Sequence, residues 1–470
     1  MFPKAARRRE GFALSELSAR LCALLSRAEA ALWGPGMMAL LLGAGVFLSI
    51  RAGFPQLRRF GEMQRALFGS FRKSSGERGE LSPFQAVSTA LAGTVGTGNI
   101  AGVAGAVALG GPGAVFWMWF SAFWGMATKY AEVLLAVRFR ERRGDEWAGG
   151  PMYTIKNGLG PRWQPLAAAF SLFGMLAAFG IGNLAQVNTI AAAAVSLTGV
   201  LLPGVPSFAI RLGAGILTAV AAGLALLGGV RRIGAVAERL VPAMSVLYIT
   251  GALTVIFTHG EALPGVFRDI LVGAFRPQAI LGGGVGIGMR AALRLGVGRG
   301  VFSNEAGLGS APIAHASTSE TRPARQALFG IFEVFADTLV ICTLTALAIL
   351  TSGVDVPYGH DAGAELTISA FASTFGGRTA GTMIAVCIVF FAFSSILSWS
   401  LYGCRCAEYL FGRTVRSVYE LLFSASAVIG AVAGLSFVWS FSNLTNGLMA
   451  IPNLLSVLLL SDVVRREAKY

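Results

Sequence analysis

The sequence predicts an all-α polytopic membrane protein of about eleven transmembrane helices, arranged as two five-helix units of opposite orientation after one additional N-terminal helix. Three observations carry this reading. Of 470 residues, 54% are hydrophobic and 13% charged, with a mean hydropathy of +0.66; a soluble domain carries a charged fraction of about a quarter. Apolar runs of roughly 20 residues, enough to cross a hydrocarbon core at about 1.5 Å per residue, recur from Gly34 to Leu460. Two of these runs, five apart in order, are interrupted by GTVGTGNIAG (Gly93 to Gly102) and RGVFSNEAGLGS (Arg299 to Ser310).

Residues 1–33 are basic but have no apolar core ending in a cleavage site, so they read as an interfacial amphipathic helix rather than a signal peptide. The membrane-embedded body occupies 34–461, with spans at 34–50, 83–109, 114–137, 165–200, 207–229, 235–258, 280–317, 325–351, 380–410, 417–437 and 446–460. Residues 462–470 form a tail. Span 1 stands outside the repeat, whose halves are 83–258 and 280–460. Span 2 opens with Ser82-Pro83, an N-cap followed by proline at the first helical position. Its glycines then cost about 1 kcal/mol each relative to alanine. In span 3, Lys129 and Glu132 stand at i, i+3 and are expected to pair. In span 4, Asn183 and Gln186 lie one turn apart and are expected to share a face; Gln186 reads as a substrate contact or as an interhelical hydrogen bond. Span 7 repeats the interruption. Because five is odd, the second unit must be inverted, and matching interrupted helices in inverted halves point to a transporter's midplane site. The outer segment 352–379 reads as a lid or a connector.

The net charge of +14 does not indicate nucleic-acid binding, because the basic residues concentrate in alternate linkers. Those after spans 1, 3, 5, 7 and 9 hold Arg51 to Arg78, Arg138 to Arg162, Arg231 and Arg232, Arg322 and Arg325, and Arg413 and Arg416, while the opposite linkers hold only Arg268, Arg276 and Arg378. The positive-inside rule makes the first set cytoplasmic, with the C-terminus inside and the N-terminus outside despite Lys4, Arg7, Arg8 and Arg9. The five cysteines show no pairing pattern, and Cys404 and Cys406 lack the histidines of a metal site. His259, His315 and His360 have no ligand-like company in the sequence.

GTVGTGNIAG lacks the Lys-Ser/Thr ending of a phosphate loop and the preceding strand of a dinucleotide fingerprint. A potassium filter would need four converging loops. A broken helix fits: lipid cannot satisfy its free N–H and C=O groups, so they must face a ligand. The amides of Gly96, Thr97, Gly98 and Asn99 suit a carboxylate, and the carbonyls of Ala92, Thr94 and Val95 suit a hard cation such as Na⁺. Gly102, Gly105 and Gly110 read instead as tight helix packing.

Thr94 to Trp119, Gly149 to Ile155 (GGPMYTI), Gly300 to Ala316 (GVFSNEAGLGSAPIAHA) and Asn446 to Ser461 resemble the alanine/glycine:cation symporter family, nearly throughout the chain after Gly34. The resemblance implies a LeuT-like fold, Na⁺ as coupling ion with no other cofactor, and alanine or glycine as substrate. It also implies that Ser394 and Ser395 of FAFSSILSWSLYG, with the carbonyls of Ala92 and Val95, form a sodium site. Back-bonding of the serines within their own helix is the competing reading. This chain departs from the family in having Ser395 and Leu401 where a threonine and an aromatic are usual.

Glu305 is costly at bilayer depth, by about 2.5–3.5 kcal/mol. It reads as a partner of the substrate ammonium, a cation ligand or a proton carrier, or else as a structural ion pair with Arg299 or Arg294. Phe302, Ser303 and Asn304 flank it on the same interrupted piece; Asn99 and Ser303 also offer oxygens to Na⁺, and Trp399 would wall the pocket against large side chains. The expectation is a monomeric symporter of the inner membrane, not an enzyme, that imports a small neutral amino acid.

Overall fold

Ser82 starts the second span as the sequence requires. Its side chain accepts from the Gln85 N–H at 3.1 Å while Gln85 Oε1 accepts the Ser82 N–H at 3.1 Å, a reciprocal capping box with Pro83 behind it. The computed structural model describes residues 23–70, 80–201, 204–281 and 287–469. The amphipathic stretch 1–22 and the linker residues Arg72, Lys73 and Arg78 lie outside these. The rest of the N-terminal segment is helical from Ala23 and turns at Trp33 into α1 (Pro35–Ala52).

Helices occupy the described part of each sequence-predicted span. The second is α2 (Pro83–Thr94) and α3 (Ala101–Gly110), the third α4 (Gly113–Arg138), and the fourth α5 (Gln164–Phe179) and α6 (Ala185–Leu201) joined by a π-helical turn. Next come α7 (Ser207–Leu226) and α8 (Gly229–Thr258). The seventh span is α9 (Met289–Asn304) and α10 (Ala311–Ala316), and the eighth is α11 (Pro323–Val334) and α12 (Thr343–Thr351), again joined by a π segment. The last three are α13 (Gly377–Phe411), α14 (Arg416–Val432) and α15 (Leu435–Leu459). Among the described residues, seven helices are long and apolar enough to cross a bilayer, or nine when bent pairs count as single spans. α4 falls short on composition, carrying Lys129, Glu132 and Arg138, whereas α9 is only 16 residues long and carries Arg290, Arg294 and Arg299. The segment 352–379 contains a helix, Ala364–Phe375, that packs on α8 and α13.

α4 is the central post. It is buried continuously from Met126 to Val137 and packs against α1, α9 and α11. Close approach comes from small residues, since a methyl group on Gly296 or Gly300 of α9 would overlap Ala114 or Ser121 of α4. Lys129 does not pair with Glu132 as the i, i+3 spacing suggests. Its Nζ lies 3.2 Å from Glu333 Oε1 on α11, with both side chains fully buried, whereas Glu132 accepts from Asn453 Nδ2 at 2.5 Å. Partners across the bundle replace the intrahelical one because this half of α4, from Met126 to Val137, is buried continuously.

The basic linkers converge on one end of the bundle. Leu81 forms an isolated bridge with Thr318 (Leu81 N–H to Ser317 O, 2.9 Å), Arg140 donates to the Thr318 carbonyl at 2.6 Å, and Arg51 pairs with Asp462. The short hairpin Glu141–Arg143 and Glu146–Ala148 reaches the same end, where Glu146 binds Arg405 at 2.6 Å and Arg416 at 3.3 Å. Burial pushes the Glu146 carboxyl up, but the two guanidiniums hold it below the usual carboxylate range. Its contribution to stability is therefore present above the unfolded value of about 4.3 and is lost as pH falls through the depressed folded value. The wild-type thermal midpoint is expected to drop on acidification below about pH 4, and Glu146→Gln to flatten that part of the profile; parallel profiles would remove Glu146 from the explanation.

Candidate functional site

The helix of the second span ends at Val95, whose ψ of 97° leaves the α region, and Gly96 is extended. A 3-10 turn over Thr97–Asn99 leads into α3, and the two halves bend by 58°. Gly96 N–H is not free for a ligand: it donates to Asn99 Oδ1 at 2.8 Å. Asn99 and Ile100 N–H close the turn onto the Gly96 and Thr97 carbonyls at 3.2 Å. The amides of Thr97 and Gly98 are the ones that this turn does not use. Of the four amides expected to face a carboxylate, the Gly96 and Asn99 pair thus shape the turn.

The opposite break has the complementary form. α9 ends in Glu305 with φ 55°, a left-handed residue that reverses the chain, and α10 resumes at Ala311. The two breaks touch through Asn99, whose Nδ2 donates to Ser303 Oγ at 3.0 Å and to Asp337 Oδ1 at 2.6 Å. Asp337 Oδ2 accepts from Thr338 Oγ1 at 2.8 Å, and Thr338 Oγ1 accepts from Asn304 Nδ2 at 3.0 Å. This produces a fully buried cluster of a carboxylate, two amides and two hydroxyls at the meeting point of both interruptions.

Asp337 and Thr338 are functional candidates that the sequence reading passed over. The signal was available: an aspartate within IFEVFADTLVICTL carries the same insertion cost as Glu305. What the sequence does not announce is the π-helical segment Phe335–Cys342, which widens the turn and carries the aspartate to the break. A second π segment, Gly180–Leu184, explains why Asn183 and Gln186 do not share a face as expected. Asn183 turns to α14, where Nδ2 donates to Ser426 Oγ at 2.9 Å. Gln186 turns to the broken turn, where its Oε1 accepts from Thr97 Oγ1 at 3.4 Å.

Of the sequence-derived sodium site, the Ala92 carbonyl and the two serines approach one another. Ser394 Oγ is 3.4 Å from the Ala92 carbonyl and 2.9 Å from its own Phe391 carbonyl, and Ser395 Oγ is 3.0 Å from that same Phe391 oxygen. Both readings of these serines therefore have a geometric counterpart: they abut the break and also bond back into α13. A β-carbon on Gly96 would stand 3.0 Å from Ser395 Oγ, so glycine permits this approach. Thr94 Oγ1 bonds back to the Ala90 and Leu91 carbonyls at 3.4 and 3.3 Å. Of the cation-site residues expected from sequence, Ala92 meets Ser394, and Asn99 meets Ser303 separately.

Glu305 makes no ion pair with Arg299 or Arg294 among the described residues, which sets aside the structural-pair reading. Its carboxylate accepts from Ser310 Oγ and from Trp399 Nε1, the latter at 3.1 Å. Trp399 lies against Gly182, where a β-carbon would overlap the indole. Gly182→Ala is therefore expected to displace Trp399 and break its bond to Glu305, lowering substrate affinity by about tenfold, the size of one hydrogen bond to a charged group. Binding isotherms matching wild type would refute this. Phe302 is half-buried between Gly98 and Trp439, whose ring centroid is 6.3 Å away. His315, which looked companionless in the sequence, lies between Gln326 at 2.9 Å and Glu333 at 3.2 Å.

A multi-helix bundle whose two interrupted helices present polar main chain to one buried site defines a membrane transporter fold. Comparison bears this out. The chain belongs to the sodium:alanine symporter family, which it matches over residues 19–470. It is 43% identical over 449 residues to a transporter of Haemophilus influenzae, covering 95% of both chains. It is also 43% identical to the sodium/alanine symporter AgcS of Methanococcus maripaludis, covering 95% of this chain and 96% of the other. Identity to a probable sodium/glutamine symporter of Bacillus subtilis, GlnT, is 38%, with 92% and 87% covered. Among solved structures, a manganese transporter of Eremococcus coleocola shares the fold at a TM-score of 0.51 and 16% identity, over 82% of this chain and 78% of that one.

Proposed function

We propose that the protein is a secondary active symporter of the LeuT-like 5+5 architecture that imports a small neutral amino acid, alanine or glycine, with Na⁺. The observation that carries this reading is the junction of the two breaks through Asn99, Ser303 and Asp337. One Na⁺ sits at the Asp337, Thr338, Ser303 and Asn99 oxygens, and a second site uses the Ala92, Thr94 and Val95 carbonyls with Ser394 and Ser395. The substrate carboxylate faces the Thr97 and Gly98 amides beside Gln186. Its ammonium lies toward the Ser303–Glu305 end of α9, and Phe302 and Trp399 limit the side chain to a small one. A cation and a carboxylate bound close together in low dielectric stabilise each other, so their binding is coupled. The two units then rock about this site, exposing it alternately to each face. The basic end of the bundle is the cytoplasmic one, and the protein works as a monomer in the inner membrane.

Counterflow of labelled alanine in proteoliposomes, with and without a Na⁺ gradient, tests the proposal. Saturable, Na⁺-driven accumulation is expected; ohmic conduction would identify a channel instead. Buried Asp337 and Glu305 favour one second reading, proton coupling, and accumulation driven by a pH gradient without Na⁺ would select it. Glutamine as a competitor distinguishes a pocket like that implied by the name of the Bacillus relative, and it is expected not to compete.

A further inference from the structure

We propose that the cleft between α1 and the start of α9 binds an anionic phospholipid of the phosphatidylglycerol type, with its phosphate on Arg290 and Arg294 and an acyl chain along α1. The site requires that the chain span a membrane; it does not depend on the symport reading. α1 begins at Pro35, and Arg51 near its other end pairs with Asp462 among the basic linkers. At about 1.5 Å per residue, Pro35 stands roughly 25 Å away, at the opposite membrane face. There a cavity of about 790 Å³ opens between the two helices. Met38, Ala39, Leu42 and Leu293 make its apolar wall, and the charged groups lining it are Arg290 and Arg294, with no carboxylate among the described residues.

The two arginines lie one turn apart on the exposed side of α9, and neither has an acid within salt-bridge distance among the described residues. Guanidinium groups in a membrane helix are costly without a partner, and their planar fork of N–H donors matches phosphate oxygens. Snorkelling would carry each arginine singly to the surface; here both crown one apolar cavity. One turn inward of Arg294 the helices come together, where a β-carbon on Gly298 would stand 3.8 Å from Met38 Cε, and the cavity continues along α1 to Leu42. From Ala39 the exposed positions of α1 follow at Gly43, Phe47 and Ile50, a single stripe without charge on a candidate membrane span. An acyl chain leaving the cavity continues along that stripe. Charge at the membrane face with apolar surface beneath it is the order of a phospholipid. A choline or ethanolamine headgroup cancels its own phosphate, and no acid lines the cavity to receive its cation. The site therefore selects a headgroup of net negative charge, which joins the helix outside the repeat to one of the two interrupted helices.

The test is photolabelling of the purified full-length protein in phosphatidylcholine nanodiscs, with sub-saturating phosphatidylglycerol that carries a diazirine in its acyl chain and adducts mapped by mass spectrometry. Adducts are expected to concentrate on residues 35–42. Arg290→Gln/Arg294→Gln should lower them about thirtyfold, the combined effect of two basic contacts to an anionic lipid. Ala39→Trp, which fills the acyl-chain space and keeps both arginines, should lower them as well and serves if the double variant does not fold. Arg231→Gln/Arg232→Gln at the basic end should leave them unchanged. Adducts that fall elsewhere, that survive both cavity variants, or that fall equally in the basic-end variant overturn the site. Equal labelling by the phosphatidylcholine analogue overturns it in favour of unselected annular lipid. Equal labelling by a diazirine fatty acid, or displacement by inorganic phosphate, overturns the phospholipid as its occupant.

Discussion

Asp337→Asn is expected to raise the Na⁺ concentration for half-maximal uptake by about 100-fold, equivalent to about 2.7 kcal/mol of cation binding. The substitution is nearly isosteric. An asparagine there still accepts from Asn99 Nδ2 through its oxygen, now held at 2.6 Å by the aspartate, and its amide can donate to Thr338 Oγ1 across the present 2.8 Å contact. What disappears is a full negative charge in a fully buried site, where no water screens it. The variant should therefore fold and reconstitute, retain a thermal midpoint near that of wild type, and fail specifically in its Na⁺ titration. An unchanged Na⁺ titration would remove Asp337 from the cation site. Loss of the pH-gradient response instead, with Na⁺ dependence intact, would assign the carboxylate to proton carriage.

The second large effect concerns folding. Lys129→Met leaves the Glu333 carboxylate buried without its cation, with only His315 at 3.2 Å for company. Breaking a buried pair by removing one partner costs about 3–5 kcal/mol, a large part of the stability of a typical domain. A sharply lowered thermal midpoint in detergent is the expected readout. Removing the charge on both sides should recover much of the loss, because the penalty lies in the orphaned ion rather than in the missing attraction. Lys129→Met/Glu333→Gln keeps a polar partner for His315 and is the fitting double variant. If the single variant is as stable as wild type, or if the double is worse than the single, the ion pair is not what holds α4 to α11.

The first prediction turns on a residue the sequence reading passed over, and the second on a partner that sequence spacing misassigns. Lys129 and Glu132 satisfy the helical i, i+3 rule, but the rule applies to an exposed surface where the alternative is water. On a helix buried from Met126 to Val137 the competing partners are other helices, and Glu333 and Asn453 win. The pair Asn183 and Gln186 fails for a different reason. A regular helix would put them on one face, but the π turn over Gly180–Leu184 adds residues to the turn and rotates one against the other. The same deviation at Phe335–Cys342 hid Asp337. By contrast, the Ser82-Pro83 start, the helix end before Gly96 and the break after Asn304 were legible, because capping and glycine conformational cost act within a few residues.

The amino-acid sequence alone determined the solvent, the all-helical class, the convergence of basic linkers on one end and the two places where helices must come apart. Each of these follows from composition or from local backbone energetics, which need no knowledge of neighbours. Tertiary structure decided which polar groups meet: Asn99 with Asp337, Gln186 with Thr97, Glu305 with Trp399, and Lys129 with Glu333. These contacts join residues 89 to 238 positions apart. They depend on helix rotation and on π turns, and a buried polar atom takes whichever partner the packing brings within reach.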